Sequence, residues 1–479
     1  MADLHVRPGE LASALANADP GDNLVLEPGV HSVDGPISIT RSGRSGAPIT
    51  IKGRPDAILD GRKTPNPTDL SHPTKPYATR QPRKSDWSYF SLIGVEYLAF
   101  DGLVVRNCWP TAIFAQDARF IILRNTSVVG STFAFFVRDD FRRGERSHNF
   151  LVEGCRWNQD DSLDHKLWSQ YDWREAHGGE GGRGTLRFFN GGFFGSGDIV
   201  GNVIFRRNRI SDAYNGIVLW ATEELQSVPA EMNSRNCHID IYENRFTRVR
   251  DNPIEPEGHA FDLRIRHNAF VDCHAWFSFD GVAGGCWYVY GNTGRFETRQ
   301  GGPRSNIGKV LKYASVGPFP TKPVYVLHNS WRIRCPVISG DSEAPHRTAR
   351  LIFMNNAIEF CRPELDGELC RAVGFVENFD WASSQVEFDF DTSDHREFPS
   401  AINAVGQERS GRHSLEPLFV NPQSDDFSID RDSVATGLAS ALQVELPDGQ
   451  FVSIRARDAG AVQAGNLVSI PELEAAAGP

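Results

Sequence analysis

Residues 239–246 read Ile-Asp-Ile-Tyr-Glu-Asn-Arg-Phe, residues 263–270 read Leu-Arg-Ile-Arg-His-Asn-Ala-Phe, and residues 287–292 read Trp-Tyr-Val-Tyr-Gly-Asn. In each segment apolar residues alternate with other residues and an asparagine follows, and successive asparagines lie 24 residues apart. Alternation with a period of two predicts short β-strands, whereas helical repeats would show a period of 3.6 residues. Because the pattern returns at a fixed interval, it predicts a solenoid of stacked coils.

The same motif, two alternating apolar positions followed by asparagine, recurs along much of the chain. Its asparagines are Asn107, Asn125, Asn208, Asn244, Asn268, Asn292, Asn329 and the pair Asn355 and Asn356. Asparagine tolerates the left-handed backbone conformation of a sharp bend, and stacked asparagine side chains can hydrogen-bond along the stack. A coil of this length accommodates three short strands and three turns. The sequence therefore predicts an all-β fold, a right-handed parallel β-helix, in which no single coil buries its own apolar face.

We expect one β-helix domain over residues 1–479 with a capped N-terminal end. Residues 8–17 place Leu11, Ala12, Leu15 and Ala16 at helical spacing, which predicts a capping helix within about residues 1–20. The repeat is interrupted where inserted loops leave the strand stack, and a closing segment is expected at about residues 415–470. The main predicted loops are 62–88, 138–185 and 361–400, with shorter ones at 222–234, 293–307 and 340–348.

Composition and charge exclude several functional classes. Lysine and arginine number 50 against 61 acidic residues, a formal charge of −11, and no basic stripe is visible, so nucleic acid is not an expected partner. The sequence contains no uninterrupted apolar run of about 18 residues, so no transmembrane helix is expected. The first residues lack the features of a signal peptide, so we expect a secreted or periplasmic protein if a signal has been removed and a cytoplasmic one otherwise. The oligomeric state stays open.

The placement of the eight cysteines favours buried packing thiols over disulfide bridges. They contain no CxxC pair, which argues against a zinc ribbon or a thioredoxin-type motif. If one disulfide is present, Cys361 with Cys370 is the expected pair.

Both ends of the chain resemble a known superfamily. The run from Gly21 through Ile58-Leu59-Asp60-Gly61 resembles the opening coil of the pectate-lyase-like β-helix superfamily. Its closing segment is similar to residues 417–421, 426–429, 433–435 and 458–461. That superfamily holds many secreted polysaccharide lyases and glycoside hydrolases. The resemblance implies a β-helix and a carbohydrate-active enzyme, and it matches no single enzyme family.

Counting nine or ten residues from the motif asparagines predicts which side chains share an outward face. Ile217, Ile254, Phe277 and Ile338 are expected to point inward. Their neighbours then form one outward column of Val218, Glu255, Ser278 and Ser339, and a second of Trp220, Glu257, Asp280 and Asp341. Parallel strands lie about 4.8 Å apart, so we expect Glu257 and Asp280 to be direct neighbours.

This acidic cluster is the predicted site. The candidate catalytic residues are Asp251, Glu255, Glu257, His259, Asp280, Lys309 and Lys312. The candidate substrate-binding residues are Arg187, Trp220, His274 and Trp276. Crowded carboxylates raise one another's pKa or bind a cation, so Glu255, Glu257 and Asp280 are also predicted ligands of a calcium ion.

Three functions stay open. A polysaccharide lyase acting by β-elimination on an acidic polymer needs a base, here His259, His274, Lys309 or Lys312, and a cationic group, here Arg187 or calcium, to neutralise the uronate. A glycoside hydrolase needs two carboxyl groups, here Glu255 or Glu257 with Asp251 or Asp280. A non-catalytic carbohydrate-binding β-helix is the third possibility. The doublet Glu255-x-Glu257 resembles the calcium-binding acids of the alginate-lyase and chondroitinase-B-like family, whose lysine-containing strand is not matched.

Overall fold

The computed structural model describes residues 3–33, 35–61, 88–159, 190–221, 235–296, 308–314, 317–340, 344–360, 374–455, 457–463 and 466–475. Nearly all of its regular structure is β-strand. In these ranges no helix has the length and apolar character needed to cross a membrane. The chain divides into two compact units, unit 1 with Met1–Thr222 and Thr247–Glu255, and unit 2 with Glu223–Phe246 and Pro256–Pro479.

Each coil of unit 1 contributes strands to three parallel sheets, which we call sheets 1, 2 and 3. Sheet 1 contains Asp3–Val6, Asn23–Leu26, Ile49–Lys52, Glu96–Asp101, Arg119–Arg124, His148–Glu153 and Gly201–Arg206. Sheet 2 contains Gly29–Ser32, Ala57–Asp60, Val104–Arg106, Ser127–Val129, Arg156–Asn158 and Arg209–Ala213. Sheet 3 contains Ile37–Ile39, Ser88–Ile93, Thr111–Gln116, Phe133–Arg138, Gly192–Gly197 and Asn215–Trp220.

Unit 2 repeats the same three-sheet arrangement. Sheet 1 contains Cys237–Tyr242, Val282–Tyr290, Val324–Leu327, Leu351–Met354 and Val386–Asp389. Sheet 2 contains Ala269–Val271, Thr293–Arg295, Ser330–Ile333, Ala357–Phe360, Thr392–Ser393 and Arg412–His413. Sheet 3 contains Ala275–Ser278, Lys309–Lys312 and Ile338–Ser339. Two of the three boundaries between the units fall within the strands Arg245–Val249 and Ile254–Arg266.

Parallel pairing from coil to coil confirms the predicted β-helix fold. In unit 2, Ile241 pairs with Ile265, which pairs with Val289, and Val289 pairs with Val326. All four side chains are fully buried. Buried β-branched residues that recur in register form the apolar core that a single coil could not provide.

The predicted stacking of asparagines is confirmed in unit 2, where the side chains form a continuous ladder. Nδ2 of Asn244 donates to Oδ1 of Asn268 at 3.0 Å, and the same contact joins Asn268 to Asn292, Asn292 to Asn329 and Asn329 to Asn356 at 2.9–3.0 Å. These asparagines are fully or almost fully buried. A buried amide must find hydrogen-bond partners, and the next coil supplies them at every step.

The residue that adopts the left-handed conformation at the bend is the asparagine itself at some positions only, which differs from our expectation. Asn107 and Asn125 adopt the expected left-handed conformation, with φ of 53° and 52°. In the ladder, by contrast, the residue before the asparagine bends the chain, as at Glu243, His267 and His328. The ladder asparagines therefore serve through their side chains rather than through their backbone freedom.

A short helix lies where the capping helix was predicted. It spans Leu11–Asn17, with Leu11 and Leu15 buried and Ala12 and Ala16 exposed. The helix is one turn shorter than the predicted segment and buries a narrower stripe. Two further helices, Ser400–Asn403 and Pro471–Ala475, and two 3₁₀ turns, Phe141–Arg143 and Pro422–Ser424, complete the helical structure of the described chain.

The C-terminal segment covers the outer side of sheet 1 in unit 2. A hairpin of Leu442–Glu445 and Phe451–Ile454 packs there together with residues 468–473. A small sheet of Phe419–Asn421, Asp426–Ile429, Val462–Gln463 and Asn466–Leu467 precedes and follows the hairpin in the chain. Tyr288 donates its hydroxyl to the Glu445 carbonyl, and Tyr325 accepts the Glu445 amide.

The predicted loops overlap regular strands at their edges. Residues 148–158, expected within the loop 138–185, form strands of sheets 1 and 2 instead. Residues 386–393 likewise form strands inside the expected loop 361–400. Six cysteines are free and buried, in line with packing thiols, and Cys361 and Cys370 lie outside the described residues.

Candidate functional site

Four of the predicted site residues lie on successive coils of unit 2, where the chain passes from sheet 3 toward sheet 1. We call this group the corner and define it as Glu257, His259, Asp280 and Lys312. All four side chains are partly exposed, unlike the core strands that carry them. Successive coils supply them, because 257–259, 280 and 312 belong to three consecutive turns of the solenoid.

The structure determines the register of the lysine strand, which the sequence left open. Lys312 pairs with Ser278 on one side and with Ser339 on the other, so it occupies the outward column between them. Its Nζ lies 3.4 Å from Oδ2 of Asp280, with 13% of the lysine side chain and 40% of the aspartate side chain exposed. The corner therefore contains a solvent-accessible ion pair.

Glu257 and Asp280 are not in the expected register. Gly258 pairs with Val282, an offset of 24 residues, whereas a direct pair of Glu257 with Asp280 needs an offset of 23. The Gly258 amide also donates to the Gly281 carbonyl at 3.3 Å. The two carboxylates therefore lie on neighbouring coils but one position out of line, because the strand that carries Glu257 is already entering sheet 1.

His259 has a defined tautomer. Its Nδ1 lies 3.0 Å from the Arg235 carbonyl oxygen, which can only accept, so Nδ1 carries the proton and Nε2 carries the lone pair. Burial lowers the pKa of His259 below its usual value. The hydrogen bond to the Arg235 carbonyl opposes this less strongly, and the Arg235 charge adds a smaller lowering effect. The ring is therefore neutral near pH 7, with Nε2 able to accept a proton.

A second histidine in the same region was missed by sequence reasoning. Nδ1 of His238 lies 2.6 Å from Oδ2 of Asp262, with the histidine side chain 54% exposed and the aspartate side chain 2% exposed. Arg264 lies 2.7 Å from the other oxygen of Asp262 and is equally buried. His238 and Asp262 are 24 residues apart, so the coil period alone would have placed one above the other.

Four other predicted residues are buried rather than presented to solvent. They are Asp251 and Glu255 in unit 1 and His274 and Lys309 in unit 2. Oε1 of Glu255 accepts a hydrogen bond from Nδ2 of Asn252 at 2.8 Å. The expectation of an open outward column is wrong at these positions, because Val218 and Ser278 beside them are buried as well.

Trp276 is a core residue, so its predicted role in binding a sugar is wrong. Its side chain is fully buried, and its ring stacks on Phe270 with centroids 5.4 Å apart and planes 8° apart. Nε1 donates to the Cys273 carbonyl. Gly294 leaves an inward position empty, and the Trp276 ring fills it, since a Cβ at Gly294 would collide with that ring.

The remaining aromatic and cationic candidates are not part of the corner. Trp220 in unit 1 is half-buried against Phe133 and Phe136, with centroids 6.1 and 6.2 Å away, so only part of its ring is available to a ligand. Arg187 and Asp341 lie outside the described residues.

The carboxylates do not form the predicted calcium site. Among the described residues, no group of three or more His, Cys, Asp or Glu side chains is placed to hold a metal ion. Glu255, Glu257 and Asp280 are all among the described residues, and they do not form such a group. Calcium prefers six to eight oxygen ligands, and these three side chains do not provide that set. Calcium stays a prediction without a ligand set among the described residues.

Comparison with known proteins gives similarity of structure but not of sequence. No protein-family model matches the chain, and no curated protein matches it. Among solved structures, a pectate lyase is 13% identical over 96% of both chains with a TM-score of 0.42. A mannuronic acid specific polysaccharide family 6 lyase from human gut microbiota is 12% identical over 89% of this chain and 93% of its own, with a TM-score of 0.42. A family 28 exopolygalacturonase from Yersinia enterocolitica is 11% identical over 82% of this chain and 78% of its own, with a TM-score of 0.41.

Proposed function

We propose that the protein is a carbohydrate-active enzyme that cleaves an acidic polysaccharide by β-elimination at the corner. The observation that carries this proposal is His259, a neutral imidazole whose Nδ1 is fixed on the Arg235 carbonyl and whose Nε2 can accept a proton. A base of this kind is what abstraction of a proton next to a carboxylate requires.

Elimination assigns distinct roles to the corner residues. Nε2 of His259 takes the proton from the carbon that bears the uronate carboxylate, and the C–H electrons form a carbon–carbon double bond as the glycosidic C–O bond breaks. The leaving oxygen takes a proton from water. Lys312, whose ammonium lies beside Asp280, supplies positive charge that stabilises the anion developing on the uronate.

His238 with Asp262 is the alternative base. A buried carboxylate that holds Nδ1 of an exposed imidazole orients the ring and keeps Nε2 directed away from the protein backbone. His238 is more accessible to a polymer than His259, and Arg264 donates a hydrogen bond to the same oxygen of Asp262, Oδ2, at 3.0 Å. Single variants separate the two histidines.

Hydrolysis by Glu257 and Asp280 is the second candidate function. It is favoured by the position of these carboxylates on neighbouring coils, and opposed by the ion pair that joins Asp280 to Lys312. A hydrolase needs two carboxyl groups directed at the glycosidic bond, and the ion pair holds that of Asp280 against Lys312 instead.

A panel of polyuronates and neutral polysaccharides, with products identified by mass and ultraviolet absorbance, tests the proposal. Elimination yields unsaturated products that are one water lighter than hydrolysis products. We expect unsaturated products from a polyuronate, and a reduction in kcat of about 10²–10⁴-fold in His259→Gln. His413→Gln, at an exposed strand position, is the matched control and should leave turnover unchanged.

The outcomes separate the alternatives. Saturated products lost in Glu257→Gln and Asp280→Asn would establish hydrolysis and exclude elimination. Unsaturated products that persist in His259→Gln but vanish in His238→Gln would move the base to His238. Binding without any product across the panel would leave a carbohydrate-binding protein and overturn the catalytic proposal.

A further inference from the structure

The asparagine ladder of unit 2 ends on an aspartate. Oδ1 of Asp391 accepts both the backbone amide of Asn356, at 2.6 Å, and its Nδ2, at 2.9 Å. Asp391 thus occupies the position of the next asparagine, but a carboxylate has no N–H to donate onward. It is fully buried, so the second carboxylate oxygen needs a partner inside the protein.

A second buried carboxyl group lies against it. Glu408 is also fully buried, and its Oε2 accepts the backbone amide of Asp391 at 3.4 Å. The remaining oxygens, Oδ2 of Asp391 and Oε1 of Glu408, are buried and receive no hydrogen bond from a donor in the described chain. Two ionised carboxylates in this position would repel each other with two unsatisfied oxygens, which is costly in a water-free interior.

The surrounding charges do not relieve this repulsion. Strand Val386–Asp389 contributes Asp389, whose negative charge acts on Glu408. Arg412, on the following segment, donates its backbone amide to the Asp391 carbonyl, while its guanidinium reaches the Val434 carbonyl instead. Asn356, on the preceding coil, is neutral.

A metal ion does not fit between the two groups. Only two carboxylate oxygens are uncommitted, whereas calcium takes six to eight oxygen ligands and magnesium six. A single proton, by contrast, satisfies both oxygens at once, because a protonated carboxyl group donates and its partner accepts.

We propose that Asp391 and Glu408 share a proton at neutral pH, and that this proton holds residues 407–413 on the last described coils of unit 2. The segment is tied to that end of the solenoid at several points. Glu408 donates its amide to the Phe388 carbonyl, Ser410 donates its amide to Oδ1 of Asp389, and Arg412 pairs with Thr392. Loss of the proton would place two charges beneath the segment and favour its release.

The direction of the pH dependence follows from burial. Desolvation raises the pKa of Glu408 to about 7 and the pKa of Asp391 well above its usual value. The closed segment therefore binds more protons than the released one, so its stability falls as pH rises from the ordinary glutamate pKa of 4.5 through about 7. Loss of one proton changes the closing equilibrium by about tenfold per pH unit within that range, and the effect is complete above it.

Hydrogen exchange of residues 407–413 between pH 5 and 9 tests the proposal in the full-length protein. Protection factors of these amides should fall by about tenfold per pH unit as the pH rises toward about 7, and should be constant above that pH. Glu408→Gln replaces the shared proton with a permanent N–H donor, so its protection should be independent of pH. Glu416→Gln, at an exposed position outside the segment, is the matched control and should behave as the native chain.

Infrared difference spectra provide a second readout, which detects the shared proton directly in the native protein. The native protein at pH 6 should show the carbonyl stretch of a protonated, buried carboxylic acid, and Asp391→Asn should remove it. Absence of that band, or the same pH dependence in Glu408→Gln and the native chain, would overturn the proposal. Recovery of protection at pH 8 on adding calcium would also overturn it, since a cation would then be the occupant.

Discussion

Replacing Asn292 by alanine tests whether the asparagine ladder stabilises the solenoid. Asn292 lies in the middle of the ladder and is fully buried. Its Oδ1 accepts from the amide and from Nδ2 of Asn268, each at 3.0 Å. Its Nδ2 donates to Oδ1 of Asn329 at 3.0 Å and to the Ile265 carbonyl at 2.9 Å. Alanine removes all of these bonds and leaves buried partners without replacements.

The expected loss follows from the number of bonds. Each intramolecular hydrogen bond contributes about 1 kcal/mol net, and a buried group left unsatisfied costs about 1–3 kcal/mol. Four bonds therefore predict that Asn292→Ala lowers the free energy of unfolding of unit 2 by about 4 kcal/mol. Asn292→Asp keeps the acceptor oxygen but loses both N–H donors. A protonated carboxyl group can still donate one hydrogen bond, so the free energy of unfolding should fall less in Asn292→Asp than in Asn292→Ala at a pH where the new carboxyl group is protonated.

Urea unfolding followed by tryptophan fluorescence measures the change, with hydrogen exchange of the Asn268 and Asn329 amides as a local readout. The urea midpoint should fall with an unchanged m value, since the surface exposed on unfolding is the same. Asn421→Ala, at an exposed position, should change stability by less than about 0.5 kcal/mol. A loss below about 1 kcal/mol in Asn292→Ala would show that the ladder bonds are replaced on mutation and would refute the reasoning.

Three further predictions follow from buried groups. Trp276→Ala should lower the free energy of unfolding by about 3–5 kcal/mol in urea titrations and leave the substrate KM unchanged, because the ring fills the core; a raised KM at intact stability would contradict this. Burial raises the pKa of the Cys237 and Cys335 thiols to about 12. A thiol reagent at pH 8 should therefore leave both cysteines unmodified until urea unfolds the protein. Rapid labelling of the folded protein would contradict their burial. Burial lowers the pKa of His328 to about 4, so between pH 6.5 and 4 the unfolded chain binds a proton that the folded chain does not. Lowering the pH through this range should therefore remove about 3 kcal/mol of stability. His328→Gln should lose less stability than the native chain, and an equal loss in both chains would contradict this prediction.

The candidate site was only partly predictable from the sequence. Counting from the asparagines places Phe277 and Ile338 in one inward row, and the structure pairs both with Leu311. The same count fails for Glu257 and Asp280, because the strand Ile254–Arg266 passes from one sheet into the next and changes register by one residue. A count along the chain has no information about where a strand turns a corner.

The direction in which a side chain points was a second property that the sequence pattern did not predict reliably. Alternation places Trp276 on the outward side of its strand, but the ring turns into the core because Gly294, on another sheet, leaves room for it. His238 and Asp262 show the opposite case, since their separation of 24 residues was visible in the sequence and only its significance was missed.

The sequence by itself determined the solenoid, because a 24-residue period of apolar alternation closed by asparagine can bury its apolar faces only when coils stack. It also determined the asparagine ladder, since equal spacing places like residues above one another. Only the tertiary structure decided which polar residues reach solvent, which histidine nitrogen carries a proton, and where two carboxyl groups meet at Asp391 and Glu408. Those properties depend on contacts between coils whose loops differ in length, and a sequence period does not contain such contacts.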